Sequence, residues 1–189
     1  MASEQRYGRV AIGLHWLIAL LILGNLALGH YMVGASMSSK PVLVPVHIWI
    51  GLSVFALSLF RLFWRLTHPK PPYPSKVEPW EARLADLVQA LFYVLMLGLP
   101  VLGWLILSSN PPNPHRMVRF LGLVPLPFVS ALQNLAQPEQ KVIHDQFVVA
   151  HAIGAWIMVG ALALHMAGIV KHHLFDRIPI INRMVPGRA

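Results

Sequence analysis

The chain has 189 residues, of which 56% are hydrophobic and 12% charged, whereas a soluble globular domain carries roughly 25% charged residues. With a mean hydropathy of +0.60 over the whole length, this excludes an ordinary soluble domain and places most of the chain in a bilayer. The absence of cysteine excludes disulfides, thiolate-held iron–sulfur clusters, thiolate haem ligands and covalent C-x-x-C-H attachment, so redox chemistry would fall to histidine or methionine; there are 10 His against 7 Asp+Glu, and the net charge is +8.

Four stretches free of charge run from Val10 to Ser39, Pro41 to Phe60, Leu87 to His115 and Gln146 to Val170. Each reaches the ~20 residues that cross a hydrocarbon core. The first span is expected at about 11–33 and carries His15, Trp16 and Asn25, the last read as interhelical hydrogen-bonding glue. The second, about 45–66, opens on His47 and closes on Arg61 and Arg65. The proline-rich turn from His68 to Ser75 stops it. The third span, about 84–107, ends before Asn110-Pro-Pro-Asn-Pro114. The connection from Arg116 to Gln140 holds Phe120, Leu121, Leu123, Leu126 and Phe128 and is expected to lie against the membrane surface. The fourth span, about 146–171, carries His151 and His165 and is followed by His172 and His173. No strand alternation, repeat or second domain is visible. The expected fold is all-α and integral to the membrane, one four-transmembrane-helix bundle over residues 1–189.

Lysines and arginines collect in cytoplasmic loops. Eleven of them fall at the N-terminus, between spans two and three and in the C-terminal tail. The opposite side has four, Lys40, Arg116, Arg119 and Lys141. Both termini are therefore expected in the cytoplasm. The positive charge reads as a topology signal, with no nucleic-acid partner implied.

His15, His47, His151 and His165 lie inside expected spans, where an ionisable side chain is a functional hypothesis by default. His151 and His165 are 14 residues apart, within about 40° of four full turns, so they share a face and differ by ~21 Å in height. The direction of each span then pairs His15 with His165 on the inner side and His47 with His151 on the outer side. Two imidazoles from facing helices suit the two axial positions of a low-spin b-type haem. Gly51, Gly154 and Gly168 follow histidines by three or four residues and would leave room for a porphyrin. A proton or metal relay would favour carboxylates among the histidines; Asp86 and Asp145 sit only at span ends. Arg61 and Arg65 lie where a haem propionate would sit, or act as snorkelling anchors. His172 and His173 are candidate donors to a quinone carbonyl or a propionate.

The segments Gly-Leu-His15-Trp16-Leu, Val-His47-Ile-Trp-Ile-Gly51 and Arg61-Leu-Phe-Trp-Arg65-Leu, together with His151, His165 and the His172-His173 pair, resemble the prokaryotic cytochromes b561 of the inner membrane. The resemblance runs from about residue 6 to the C-terminus. It implies a four-helix, bacterial inner-membrane protein with two b-type haems: His15 and His165 on the cytoplasmic side, His47 and His151 on the periplasmic side. It also implies electron transfer, in some relatives from periplasmic superoxide to ubiquinone, and the anion would be steered by Lys40, Arg116, Arg119 and Lys141. The quinone site is open between the His172/His173 region and the outer apolar loop. The alternatives are a non-catalytic electron-transfer subunit serving a partner protein and a haem-free metal transporter; a homodimer or a redox partner is left open.

Overall fold

A computed structural model describes residues 6–110 and 119–185. Four long apolar helices dominate: α1 (Arg9–Gly34), α2 (Lys40–Thr67), α3 (Pro79–Ser108) and, after a short α4 (Ser130–Gln133), α5 (Gln137–Val170). Each is long and apolar enough to cross a membrane. The described surface supports that reading, because Leu20, Leu23, Phe63, Val94 and Trp156 are all more than half exposed. Lipid accommodates such side chains along the whole length of a helix. Pro45 and Pro100 lie within α2 and α3, a position tolerated in spanning helices.

The helices start earlier than the charge-free stretches suggest. α2 begins at Lys40 rather than 45, α3 at Pro79 rather than 84, and α5 at Gln137 rather than 146. The extra turns carry charge and project beyond the hydrocarbon, so the absence of charge marks the core-spanning part and not the helix end. α3 shows why its start is fixed: Pro79 occupies the first turn, and Glu78 and Glu81 form a reciprocal capping box that satisfies otherwise orphaned N–H groups. The connection before α4 holds a small antiparallel hairpin, β1 (Arg119–Phe120) against β2 (Val124–Pro125), where none was expected. Its strands are too short to show alternation. Leu121 and Gly122 turn it with positive φ.

The most extensive helix contacts run α1 on α2, α2 on α3 and α3 on α5. The core sits at the waist and combines Ile18, Ile22, Val54, Leu95, Met96 and Met158. Within it the buried Ser58 hydroxyl donates to the Met96 sulfur at 3.4 Å. Three indoles pin loops to helices: Trp16 donates to the Met184 carbonyl, Trp49 to Arg119 and Trp104 to Pro127. Both described terminal segments lie at one end of the bundle, the terminal end, where the Tyr7 amide donates to the Arg183 carbonyl at 3.3 Å. Arg6 bonds to the carbonyls of Asn182 and Val185, and the buried Arg183 reaches Pro72 in the α2–α3 loop at 2.7 Å. The other end is the far end.

Candidate haem-binding site

His15 on α1 and His165 on α5 meet at the terminal end with ring centres 6.3 Å apart and planes inclined by 64°. His47 on α2 and His151 on α5 meet at the far end, 6.1 Å apart and inclined by 67°. All four rings are half-buried, so each pair opens to the flank of the bundle rather than into a sealed cavity. The structure thus brings the four histidines together in the depth-matched combinations expected from the rise of α5.

These spacings suit a shared metal centre. A histidine nitrogen lies ~2.0 Å from a first-row metal ion and roughly 1.1 Å from its own ring centre, so two imidazoles facing each other across one ion have centres ~6.2 Å apart. Direct hydrogen bonding or stacking between the rings would bring them closer. The polar groups point the same way. Among the described residues, the buried side-chain atoms lacking a hydrogen-bond partner are Asn25 Oδ1, His47 Nδ1, Tyr93 OH and His173 Nδ1. A buried orphan is costly in a low-dielectric interior. Three of these belong at the two pairs: His47 is a pair member, Asn25 sits against Gly51 one turn beyond it, and Tyr93 lies within electrostatic reach of Arg61. The His151 Nδ1 faces the Leu99 carbonyl at 3.1 Å, which fixes Nδ1 as the protonated nitrogen and frees Nε2 for a metal. The donor set and the spacing fit a haem at each pair.

Arg61 places a guanidinium nitrogen 3.3 Å from His15 Nδ1, alongside the terminal-end pair. Arg65 is one turn further on, within electrostatic range of Arg61, Tyr73 and Asp86. The three glycines that follow the histidines have different surroundings. Gly154 faces Leu99, where an added Cβ would come within 2.8 Å of the side chain, Gly168 faces open space, and Gly51 faces Asn25. The glycines nearest the imidazoles stand on opposite helices: a Cβ added at Gly29 would lie 3.3 Å from His47 and one at Gly103 3.7 Å from His151. Which helix lies opposite is not written in the spacing along one helix.

At the far end, Lys141 pairs with Asp145 at 2.5 Å, Lys40 opens α2, and Arg119 is exposed where Trp49 holds its carbonyl. Arg116 lies outside the described residues. Lys141 also lines a small polar cavity of about 140 Å³ with His144, Ser109 and Asn110, and the Ser109 hydroxyl lies 3.1 Å from His144 Nδ1. His144 stands seven residues before His151, nearly two full turns, and therefore on the same face. That seven-residue relation was the available signal for it. At the terminal end, His172 meets Asp176 and His173 is half-buried. Asp176 follows His172 by four, a one-turn spacing that points to the contact but was not among the expected features. The Lys171 ammonium bonded to Asp176 holds that carboxyl below the usual carboxylate range. Burial, together with a hydrogen bond to Asp86, pushes the Tyr73 hydroxyl up.

Four helices long and apolar enough to cross a membrane, with imidazoles paired at two depths, define a multi-pass membrane protein. Residues 6–187 match the sequence model described as prokaryotic cytochrome b561. The chain belongs to that family, and is thereby a membrane b-type cytochrome. It is 25% identical over 183 residues to the probable superoxide oxidase CybB of Yersinia pestis, covering 97% of each chain. It is 26% identical over 189 residues to cytochrome b561 homolog 2 of Escherichia coli K12, covering 97% of this chain and 93% of the relative. Cytochrome b562 of Cereibacter sphaeroides is 33% identical over 109 residues, 54% of this chain and 67% of that one.

Proposed function

We propose that this chain is a two-haem cytochrome of the bacterial inner membrane that oxidises periplasmic superoxide and reduces ubiquinone. His15 and His165 hold one haem and His47 and His151 the other. The observation that carries the reading is the pair of ring separations, 6.3 and 6.1 Å, at the value that two imidazoles adopt across one metal ion. When bound, each haem carries one electron at a time. The paired imidazoles of His15 with His165 and of His47 with His151 would hold the haems, and two protein ligands on one iron would keep oxygen species off the metal and restrict the centre to electron transfer.

The 189 residues act as one domain, with the terminal end in the cytoplasm, as the lysine and arginine distribution favours. Lys40, Arg116, Arg119 and Lys141 then face the periplasm, where they attract an anion. The small cavity beside His144 admits a molecule of superoxide's size and lies along the α5 face that leads to His151. Arg61 anchors the propionates of the cytoplasmic haem, with Arg65 beside it. Ubiquinone binds at the cytoplasmic end beside His172 and His173, where the neighbouring Leu174 and Phe175 are exposed and open the site to lipid. Superoxide as the electron donor agrees with the name of the Yersinia relative, a probable superoxide oxidase.

The test is a dithionite-reduced minus oxidised spectrum with haem quantified per chain, followed by superoxide-driven reduction of ubiquinone by the purified protein. Two low-spin b haems and turnover without a partner support the reading. Two haems that turn over only when a partner is added would make the chain an electron-relay subunit. Absence of haem after expression with ample supply would overturn both.

A further inference from the structure

Beyond His165, α5 does not simply end. It widens into a π-helical turn, Lys171–Phe175, closed by the Asp176 amide donating to the Lys171 carbonyl at 3.1 Å. Such turns recur at functional sites. Here the turn swings His172 over Asp176, with Nδ1 2.8 Å from Oδ2. Asp176 is itself held: Lys171 Nζ lies 2.7 Å from its carboxylate and 2.7 Å from Glu81 Oε1. Glu81 is buried, and its other oxygen accepts the Glu78 N–H at 3.1 Å. The start of α3 therefore fixes a carboxylate that fixes an ammonium that fixes Asp176. Glu81, His172 and Asp176 cluster closely enough to suggest a cation site, but the Lys171 ammonium already occupies the space between the two carboxylates.

We infer that Asp176 is a positioning residue that holds His172 with its Nδ1 proton bonded to the carboxylate, so that Nε2 is the atom that delivers protons to a quinone carbonyl oxygen. The inference rests on the proposed quinone site at the cytoplasmic end. Reduction of one ubiquinone takes two electrons and two protons; two superoxide anions each lose one electron and become O₂. For each proton, the Nε2–H bond breaks and an O–H bond forms on the quinone as an electron arrives. His172 is left neutral, still bonded through Nδ1–H, and recovers the Nε2 proton from water at the cytoplasmic end. The carboxylate holds the ring through Nδ1–H before transfer and fixes the tautomer after it, as a buried aspartate does for a catalytic histidine elsewhere. Glu81 and Lys171 hold the carboxylate in place through both states.

The test uses haem-loaded protein in nanodiscs, labelled with ¹⁵N-histidine, with the His172 signals assigned by His172→Gln. In the unsubstituted protein Nδ1 carries the proton, and Asp176→Asn abolishes that preference. With superoxide as donor and a short-chain ubiquinone as acceptor, Asp176→Asn lowers kcat about 10- to 100-fold, leaves the quinone KM within about 2-fold, and Asp176→Glu recovers most of the loss. Both variants retain the parent haem spectrum. A neutral His172 protonated on Nε2 in the unsubstituted protein, or an Asp176→Asn variant with full kcat or a raised KM alone, overturns the role of Asp176. If Asp176→Asn is fully active while His172→Gln is not, the positioning role fails and the quinone site stands. Full quinone reduction by His172→Gln overturns the quinone site itself.

Discussion

Gly29 is the position at which the far-end site has least room. An added Cβ would lie 3.3 Å from His47 Cε1, inside the ~3.5–4.0 Å optimum for carbon–carbon contact. The ring must therefore yield by at least ~0.2 Å, which is the whole tolerance of a metal–ligand distance. Any such shift departs from a His47–His151 spacing of 6.1 Å that already matches two imidazoles on one ion. Gly29→Ala is thus expected to keep both haems but to alter the visible and paramagnetic signals of one. Gly29→Val adds two methyl carbons a further ~1.5 Å out, beyond what the pair can absorb, and should lower the haem content from two per chain to one. Gly24, against which an added Cβ meets nothing within 4 Å, supplies the control: Gly24→Ala should change neither signal. The assays are haem quantified per chain and the reduced-minus-oxidised spectrum at low temperature. A Gly29→Val protein with two unaltered haems, or one lacking the signal that His15→Ala removes, would refute the reasoning.

Three further outcomes follow from the same geometry. His15→Ala and His165→Ala should abolish one and the same haem signal, and His47→Ala and His151→Ala the other; any different grouping in the difference spectra would break the pairing. Arg119→Glu should lower kcat/KM for superoxide several-fold at low ionic strength and much less at about 0.5 M salt, where the Debye length has shrunk to a few ångströms; an effect independent of salt would remove Arg119 from anion steering. Because the Lys171 ammonium depresses the folded-state pKa of Asp176, its contribution to holding the terminal-end turn is intact above the ordinary aspartate value of ~3.9 and is lost as pH falls through the lower folded value. Hydrogen exchange across residues 171–185, corrected for intrinsic rates, should accelerate over that acid range, and Asp176→Asn should show the fast exchange already at neutral pH; identical profiles would dissociate the ion pair from the stability of the turn.

The spans were legible because a hydrocarbon core excludes charge over a fixed thickness, and the histidine pairs because a helix has a fixed rise and rotation. Both are one-dimensional rules, and both fail where a second helix decides the outcome. Gly154 lies one turn beyond His151, and the side chain that packs against it is Leu99 of α3. The room beside the far-end pair is made by Gly29 and Gly103, whose relation to the imidazoles exists only once α1, α2, α3 and α5 are packed. The nine residues by which α5 exceeds its charge-free stretch escaped for another reason: charged residues such as Glu139 and Lys141 are good helix formers in water, so the helix continues after the lipid ends. The π-turn after Val170 was illegible because a hundred-degree period assumes that the α-helix persists.

α5 itself shows how one element can organise the whole path. His144, His151, Met158, His165 and His172 recur every seven residues, which in a straight α-helix drifts only ~20° per step. His144 lines the small far-end cavity, the two inner histidines face their partners on α2 and α1, and Met158, 2% exposed, fills the waist between them. The same row ends at His172, where the π-turn departs from the α-helical period and brings the last imidazole to Asp176 instead of carrying it onward into water. A helix that held its period would present all five residues along one slowly winding stripe, turning by ~80° from first to last. The departure falls after the last paired histidine, where, on the proposed function, electron transfer between fixed centres gives way to proton delivery to a mobile substrate, and that change of task requires a side chain held from α3 as well as from α5.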